Sequence, residues 1–373
     1  MLFNFNSPTD IFFGSGSFRK TSEITNKLGK NPMIVCGRTS MRKFKFLDIL
    51  IKNFKEDKKK VLIYDNISPD AKSSEINDAI SIIKKRKIDF VIGFGGGSAI
   101  DAAKAIAVGI NFKNVEEIIG KNVADHLKCL PIVAIPTTAG TGSEVSKGSI
   151  ITDIKKNFKS GIRGNNLFPK IAIIDPIFSL TMPDDLLAET GFDAFTHLFE
   201  SYLAKKSNPI TENFSEIGLS IIMKYLPISL KEKKNLIAKE KVCLAALMGG
   251  INVANASSCL PHRLQQAMGS IQEIKHPHAR GLACIYPSWL EEEYKFSKKK
   301  IENIKKKIGI KSPKYSFIND FMNKIKVKSK LSEYGVLEEH IPVFLKNISG
   351  NVKNDPIKNI NNKLIKKIYF KSL

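Results

Sequence analysis

At 373 residues the chain is longer than one ordinary core needs and suits two domains. A 43% hydrophobic share is ordinary for a globular protein, no run approaches the roughly 20 apolar residues of a membrane span, and five scattered cysteines without a CxxC pair exclude a zinc ribbon. The formal net charge of +23 invites nucleic acid, yet the excess is mostly dispersed lysine without aromatic-basic interleaving, so no nucleic-acid partner is expected.

The opening residues Met1-Leu2-Phe3-Asn4-Phe5-Asn6 lack the basic start and apolar run of a signal peptide, and a cytoplasmic location is expected. A first apolar run, Met33-Ile34-Val35-Cys36, reads as a strand and is followed by Gly37-Arg38-Thr39-Ser40. In a Rossmann-like fold an acidic residue near such a strand end would hold the adenosine 2′-hydroxyl and repel a 2′-phosphate. Here Gly37 leaves space and Arg38 supplies a cation, so NADPH is expected to be preferred over NADH.

Further strands are expected at Val61-Leu62-Ile63-Tyr64, Phe90-Val91-Ile92-Gly93, Pro131-Ile132-Val133-Ala134-Ile135 and Ile171-Ala172-Ile173-Ile174. Amphipathic stretches over 74–87 and 98–108 lie between them, the pattern of a parallel sheet covered on both faces. Phe94-Gly95-Gly96-Gly97-Ser98-Ala99-Ile100-Asp101 follows a strand and opens a helix, a place where backbone N–H groups meet pyrophosphate. A second polar loop, Pro136-Thr137-Thr138-Ala139-Gly140-Thr141-Gly142-Ser143-Glu144, follows the next strand. Two such loops on neighbouring strand ends define a dinucleotide crevice.

Beyond Pro183 the strand signals give way to helical periodicity over 185–205, 211–225 and 236–257. The expected division is a Rossmann-like α/β domain over 1–183 and an all-helical metal-binding domain over 184–373. The polar tail from Asn351 onward is expected to fray. Lys298-Lys299-Lys300 and Lys305-Lys306-Lys307 fall on a helix pattern as a solvated face. Asp193 and His197 are four apart, hence on one helix face, and His262, His276 and His278 follow. One carboxylate with three imidazoles suits a borderline divalent ion, Fe(II) or Zn(II), with a position open to a substrate oxygen.

These residues resemble the iron-containing (group III) alcohol dehydrogenase family nearly end to end. The match runs from Asn6 to Gly16, through Gly95-Gly96-Gly97-Ser98 with Asp101-Ala102-Ala103-Lys104, Pro136 to Glu144 and Asp175-Pro176. It continues through Gly191-Phe192-Asp193-Ala194 to Glu200-Ser201-Tyr202, and then Leu331 to Val336. The resemblance implies a dehydroquinate synthase-like two-domain fold, often a homodimer, and an NAD- or NADP-linked interconversion of alcohols with aldehydes or ketones. It implies metal ligands, and with them the catalytic set, at Asp193, His197, His262 and one of His276 and His278, with His278 preferred. It places the pyrophosphate at Gly96, Gly97 and Ser98, beside Asp101. The nicotinamide half falls to Thr137, Thr138, Thr141 and Ser143, with Lys159 nearby. Gln266 departs from the family, many of whose members carry a second histidine there. Arg163, Arg263 and Arg280, in a chain poor in arginine, point to an anionic aldehyde. Another member of the wider superfamily, such as a glycerol-1-phosphate dehydrogenase or a dehydroquinate synthase-like enzyme, is the nearest alternative enzyme, and a basic nucleic-acid-binding protein the alternative from another class.

Overall fold

Aliphatic, β-branched runs separated by amphipathic stretches give a strand-helix alternation over the first half of the chain. The computed structural model describes every residue except Met1, Gln272, Lys275 and His276. Its strands are β1 (Asp10–Phe13), β2 (Pro32–Gly37), β3 (Leu62–Ile67), β4 (Phe90–Gly95), β5 (Ile132–Pro136), β6 (Gly148–Asp153), β7 (Phe158–Arg163) and β8 (Ile171–Ile174). Six of them form a parallel sheet in the order β1-β8-β5-β4-β2-β3. The other two, β6 and β7, pair as an antiparallel hairpin that the sequence reading did not foresee.

Helices α1 (Thr21–Ile24), α2 (Ser40–Lys43), α3 (Phe46–Glu56), α4 (Ser73–Ile83) and α5 (Gly97–Gly109) alternate with the strands. Because side chains alternate along a strand, β2 feeds two cores. Met33 and Val35 pack with Ile76, Ala103 and Ile106, whereas Ile34 and Cys36 pack with Leu47, Leu50 and Phe94. Phe18, Phe46, Phe94 and Phe178 interlock there at centroid separations of 4.9 to 6.2 Å. Burying each such ring contributes roughly 1.5–3 kcal/mol. Gly93 lets α5 sit directly on β4, since a Cβ there would lie 2.7 Å from Ile100 Cα. Asp175 is buried and accepts from Gly16 N–H at 2.9 Å and Phe18 N–H at 3.1 Å, tying the N-terminal turn to the end of β8.

The strand order reverses between β2 and β4, since β3 lies on one side of β2 and β4 on the other. Open α/β sheets bind ligands at the carboxyl ends flanking such a reversal. Gly37 and Gly95 end those two strands.

Two compact units emerge, one of Ser7–Met182 and one of Met1–Asn6 with Pro183–Leu373. The second is helical: α6 (Asp184–Leu203), α7 (Pro209–Lys231), α8 (Leu236–Ala256), α9 (Leu260–Met268), α10 (His278–Lys307), α11 (Phe317–Lys324), α12 (Ile341–Asn347) and α13 (Asn362–Ser372). Helix α7 starts cleanly because Pro209 sits at its first position and Asn208 Oδ1 accepts from Ile210 N–H and Thr211 N–H at 3.1 and 3.2 Å. Gly249 on α8 lets that helix approach α6, since a Cβ there would lie 3.2 Å from His197 Cβ.

The tail does not fray. Ile365, Ile368 and Tyr369 form a buried stripe on α13, and Tyr369 Oη donates to Leu264 O at 2.8 Å. Asn361 caps the helix through Leu364 N–H at 3.0 Å. The lysines between those apolar positions hid the spacing. Lys305 is buried against Glu302, and Lys300 and Lys307 pair with Glu212 and Glu216, so part of the basic run is neutralised within the fold. Among the described residues no single helix is long and apolar enough to cross a membrane.

Candidate functional site

On α6, Asp193, His197 and Glu200 occupy positions i, i+4 and i+7, one face of the helix. His262 comes from α9 and His278 opens α10. Their imidazoles converge on one atom. His197 Nε2, His262 Nε2 and His278 Nε2 lie 3.6, 3.5 and 3.6 Å from Asp193 Oδ1. Single donor atoms of Asp193, His262 and His278 all fall within 4.8 Å of one another, while His197 joins the set through Asp193. The rings of His197 and His262 stack at 4.7 Å. The structure therefore brings together all four residues expected from the sequence, and His276 lies outside the described residues.

Whether the donors fit a divalent ion is answered by their unmet valences. Asp193 Oδ1 and His262 Nε2 are buried without a hydrogen-bond partner. Leaving such atoms unsatisfied costs about 1–3 kcal/mol each. A carboxylate oxygen and imidazole nitrogens form a donor set suited to Fe(II) or Zn(II). The residues fit.

Charge is unevenly shared among them. Burial pulls the His197 imidazole down to about 4, against the attraction of Asp193. Burial acts on His262 in the same sense, but Glu200 and Asp193 outweigh it and push the ring up to about 9. Burial would raise Asp193, yet the attraction of His197, with His262 and His278 close by, holds it well below the usual carboxylate range. Glu200 stands in the same sequence motif, and its position on the Asp193 face is the one signal for it that the sequence offers. Its partner is 62 residues away: His262 Nδ1 lies 2.9 Å from both Glu200 carboxylate oxygens. Gln265, which the sequence reading also missed, accepts from His278 Nδ1 at 2.5 Å.

In the α/β unit the two polar loops touch. A Cβ on Gly97 would lie 2.8 Å from Thr141 Cγ2, and one on Gly96 would lie 3.5 Å from Thr138 Cγ2. Gly96, Gly97 and Ser98 are half-buried at the start of α5, whose N-terminus carries no side-chain cap. Its N–H groups and partial positive charge suit an anion. Ser98 Oγ accepts from Asp70 N–H at 3.2 Å. Thr137 is buried, and Thr138 and Thr141 are half-buried.

Asp101 and Ser143 meet each other beside the loop. The Ser143 hydroxyl donates inward to Asp101 Oδ1, and Asp101 Oδ2 accepts from Ile150 N–H at 2.8 Å. Lys104, fully buried on α5, donates to Ser143 Oγ at 2.9 Å, Ser146 O at 2.9 Å and Gly148 O at 2.8 Å. These three side chains pin the second loop and β6 to α5. Lys159 is tied to Asp70 Oδ1 at 2.6 Å.

At the end of β2, Gly37 has room for a side chain, with Ile67 O 3.5 Å from where its Cβ would stand. Arg38 is exposed and lies 3.4 Å from Glu75 Oε1. Glu75 itself accepts from Ser68 N–H and Lys72 N–H at 3.1 and 3.3 Å through its other oxygen. Arg163, Arg263 and Arg280 are engaged within the fold. Arg280 donates to Glu189 at 2.8 Å and Lys326 O at 3.0 Å, Arg263 to Ser258 and Gln266 at 2.7 and 3.2 Å, and Arg163 to Gly161 O at 3.0 Å.

Comparison with known proteins gives one consistent answer. The profile of the iron-containing alcohol dehydrogenases matches residues 8–176, and that of the Fe-containing alcohol dehydrogenase family C-terminal region matches 187–373. An NADPH-dependent butanol dehydrogenase of Clostridium saccharobutylicum is 29% identical, over 91% of this chain and 88% of its own length. NADH-dependent butanol dehydrogenase A of Clostridium acetobutylicum is 25% identical over 94% of each. The crystal structure of an iron-containing alcohol dehydrogenase from Thermotoga maritima superimposes with a TM-score of 0.86 at 30% identity, covering 100% of this chain and 99% of that one. An N-terminal parallel sheet, a helical second unit and both profiles in order make this chain a member of the iron-containing alcohol dehydrogenase family, an oxidoreductase that uses NAD(P) and a divalent metal.

Proposed function

We propose that this chain interconverts a small alcohol with its aldehyde or ketone by direct hydride transfer, prefers NADPH, and holds one divalent ion, Fe(II) before Zn(II), through Asp193, His197, His262 and His278. The convergence of three imidazoles on the orphaned Asp193 Oδ1 carries the reading. When bound, the ion supplies Lewis acidity to the substrate oxygen. The residues do the rest. Glu200 and Gln265 orient His262 and His278, and burial of Asp193 and His197 keeps water from those donors. Gly96, Gly97 and Ser98 at the start of α5 would bind the pyrophosphate. Thr137, Thr138 and Thr141 would hydrogen-bond the nicotinamide half, with Lys159 nearby, while Asp101, Lys104 and Ser143 keep that loop in place. Such residues lower the barrier by orientation.

The NADPH preference is supported by the missing carboxylate at Gly37. The Arg38–Glu75 pair is more than half exposed on the arginine side and correspondingly weak, so the guanidinium is able to turn to a 2′-phosphate. A cytoplasmic homodimer belongs to the same proposal and rests on the family resemblance. Metal analysis of wild type and His262→Ala tests the core of it. About one divalent ion per chain in the wild type, and loss of both metal and aldehyde reduction in the variant, is expected. A variant that keeps full metal content and turnover would defeat it.

A further inference from the structure

The two late histidines differ in what stands behind them. His262 Nδ1 lies 2.9 Å from both oxygens of Glu200, which is completely buried. Glu200 Oε2 also accepts from Cys259 N–H at 2.7 Å, just ahead of α9. A carboxylate only accepts, so it fixes a proton on His262 Nδ1 and leaves Nε2 to face Asp193 Oδ1. His278 Nδ1 meets instead the neutral amide oxygen of Gln265, at 2.5 Å. The His278 side chain is 33% exposed, against 6% for His262.

Resting on the metal reading above, we propose that Glu200 is the positioning residue that makes His262 the anchor of the metal set, and that Gln265 leaves His278 as its weaker, exchangeable member. A carboxylate behind an imidazole raises the basicity of the ring nitrogen that faces the ion, and a neutral amide does so far less. Charge argues the same way. Asp193 and Glu200 are both buried, and two carboxylates with neutral imidazoles balance one dication. Glu200 also holds two segments at once, since α6 carries it and its bonds reach both His262 and the Cys259 amide. Its effect on the ion is therefore one of ring orientation and donor strength, exerted without contact.

The test is Co(II) binding to metal-free wild type, Glu200→Gln and Gln265→Glu, by competition with a chromophoric chelator and by the visible absorption of bound Co(II). Glu200→Gln keeps the side-chain volume and an acceptor for Cys259 N–H. It is expected to weaken Co(II) binding roughly 10–100-fold, with the thermal unfolding of the metal-free protein little changed. Gln265→Glu places a carboxylate behind His278 and is expected to tighten Co(II) binding, an increase in affinity that damage to the fold does not produce. Equal Co(II) affinity of wild type and Glu200→Gln, or unchanged or weaker binding by Gln265→Glu, overturns the proposal and leaves the metal reading standing. A wild type that binds no Co(II) overturns the metal reading itself.

Discussion

Replacing Lys104 with methionine removes one charged group from the interior of the α/β unit at nearly constant volume. The Lys104 ammonium makes three bonds of 2.8 to 2.9 Å, to Ser143 Oγ, Ser146 O and Gly148 O, and lies 3.9 Å from Asp101 Oδ1. Burial draws its pKa down to about 8, with Asp101 and Glu144 opposing, so it is still charged at neutral pH. Each bond from a charged donor contributes about 1.5–3 kcal/mol, but methionine also avoids the cost of burying the ammonium. The balance is set by what is left behind: two part-buried carbonyls that lose the ammonium donor and a largely buried Asp101 without its nearest cation. Breaking one side of such a buried pair costs about 3–5 kcal/mol. At roughly 2–4 °C per kcal/mol for a unit of this size, the first unfolding transition should drop by about 10 °C. The loop from Thr137 to Ser143 loses its tether, and NADPH affinity should fall about tenfold, equivalent to about 1.4 kcal/mol. Differential scanning calorimetry and titration calorimetry with NADPH read the two effects. An unchanged transition together with unchanged NADPH affinity would refute the tether.

Gly37→Asp should move cofactor preference toward NADH, since the new side chain fits beside Ile67 O and its charge repels a 2′-phosphate; the ratio of kcat/KM for the two cofactors measures it. Glu293 on α10 is buried beside Asp355, and burial followed by that neighbouring carboxylate pushes it up to about 9 from an ordinary 4.5. Between those values the folded chain keeps a proton that the unfolded chain has released, so stability falls as pH rises through this window, by at most about 1.4 kcal/mol per pH unit. Glu293→Gln is neutral throughout and should flatten that slope, read as urea midpoints at about pH 6 and about pH 8.5; parallel slopes in the two proteins would contradict the assignment.

The sequence carried the sheet and the Asp193–His197 helix face well, for physical reasons that also mark where it stopped. β2, β4, β5 and β8 are continuous aliphatic runs, buried on both faces, and such runs announce themselves. The β6–β7 hairpin mixes lysine, serine and glycine with isoleucine and has no such signal. Asp193 and His197 share a helix face, so their pairing was legible from spacing alone. The bond from His262 to Glu200 joins residues on different helices and depends on how α6 and α9 pack. Ser143 shows the same limit. Its place in a polar loop was plain, but whether its hydroxyl pointed outward or in toward Asp101 depended on the fold around Lys104.

The most direct test of the account follows a label. Metal-loaded protein is given an aldehyde and NADPH carrying deuterium at the transferring position of nicotinamide C4, and the alcohol is analysed by mass spectrometry. Direct hydride transfer predicts one deuterium on the carbinol carbon, none acquired there from heavy water, and no product from metal-stripped protein. Label arriving from solvent, or full turnover after the metal is removed, would contradict it.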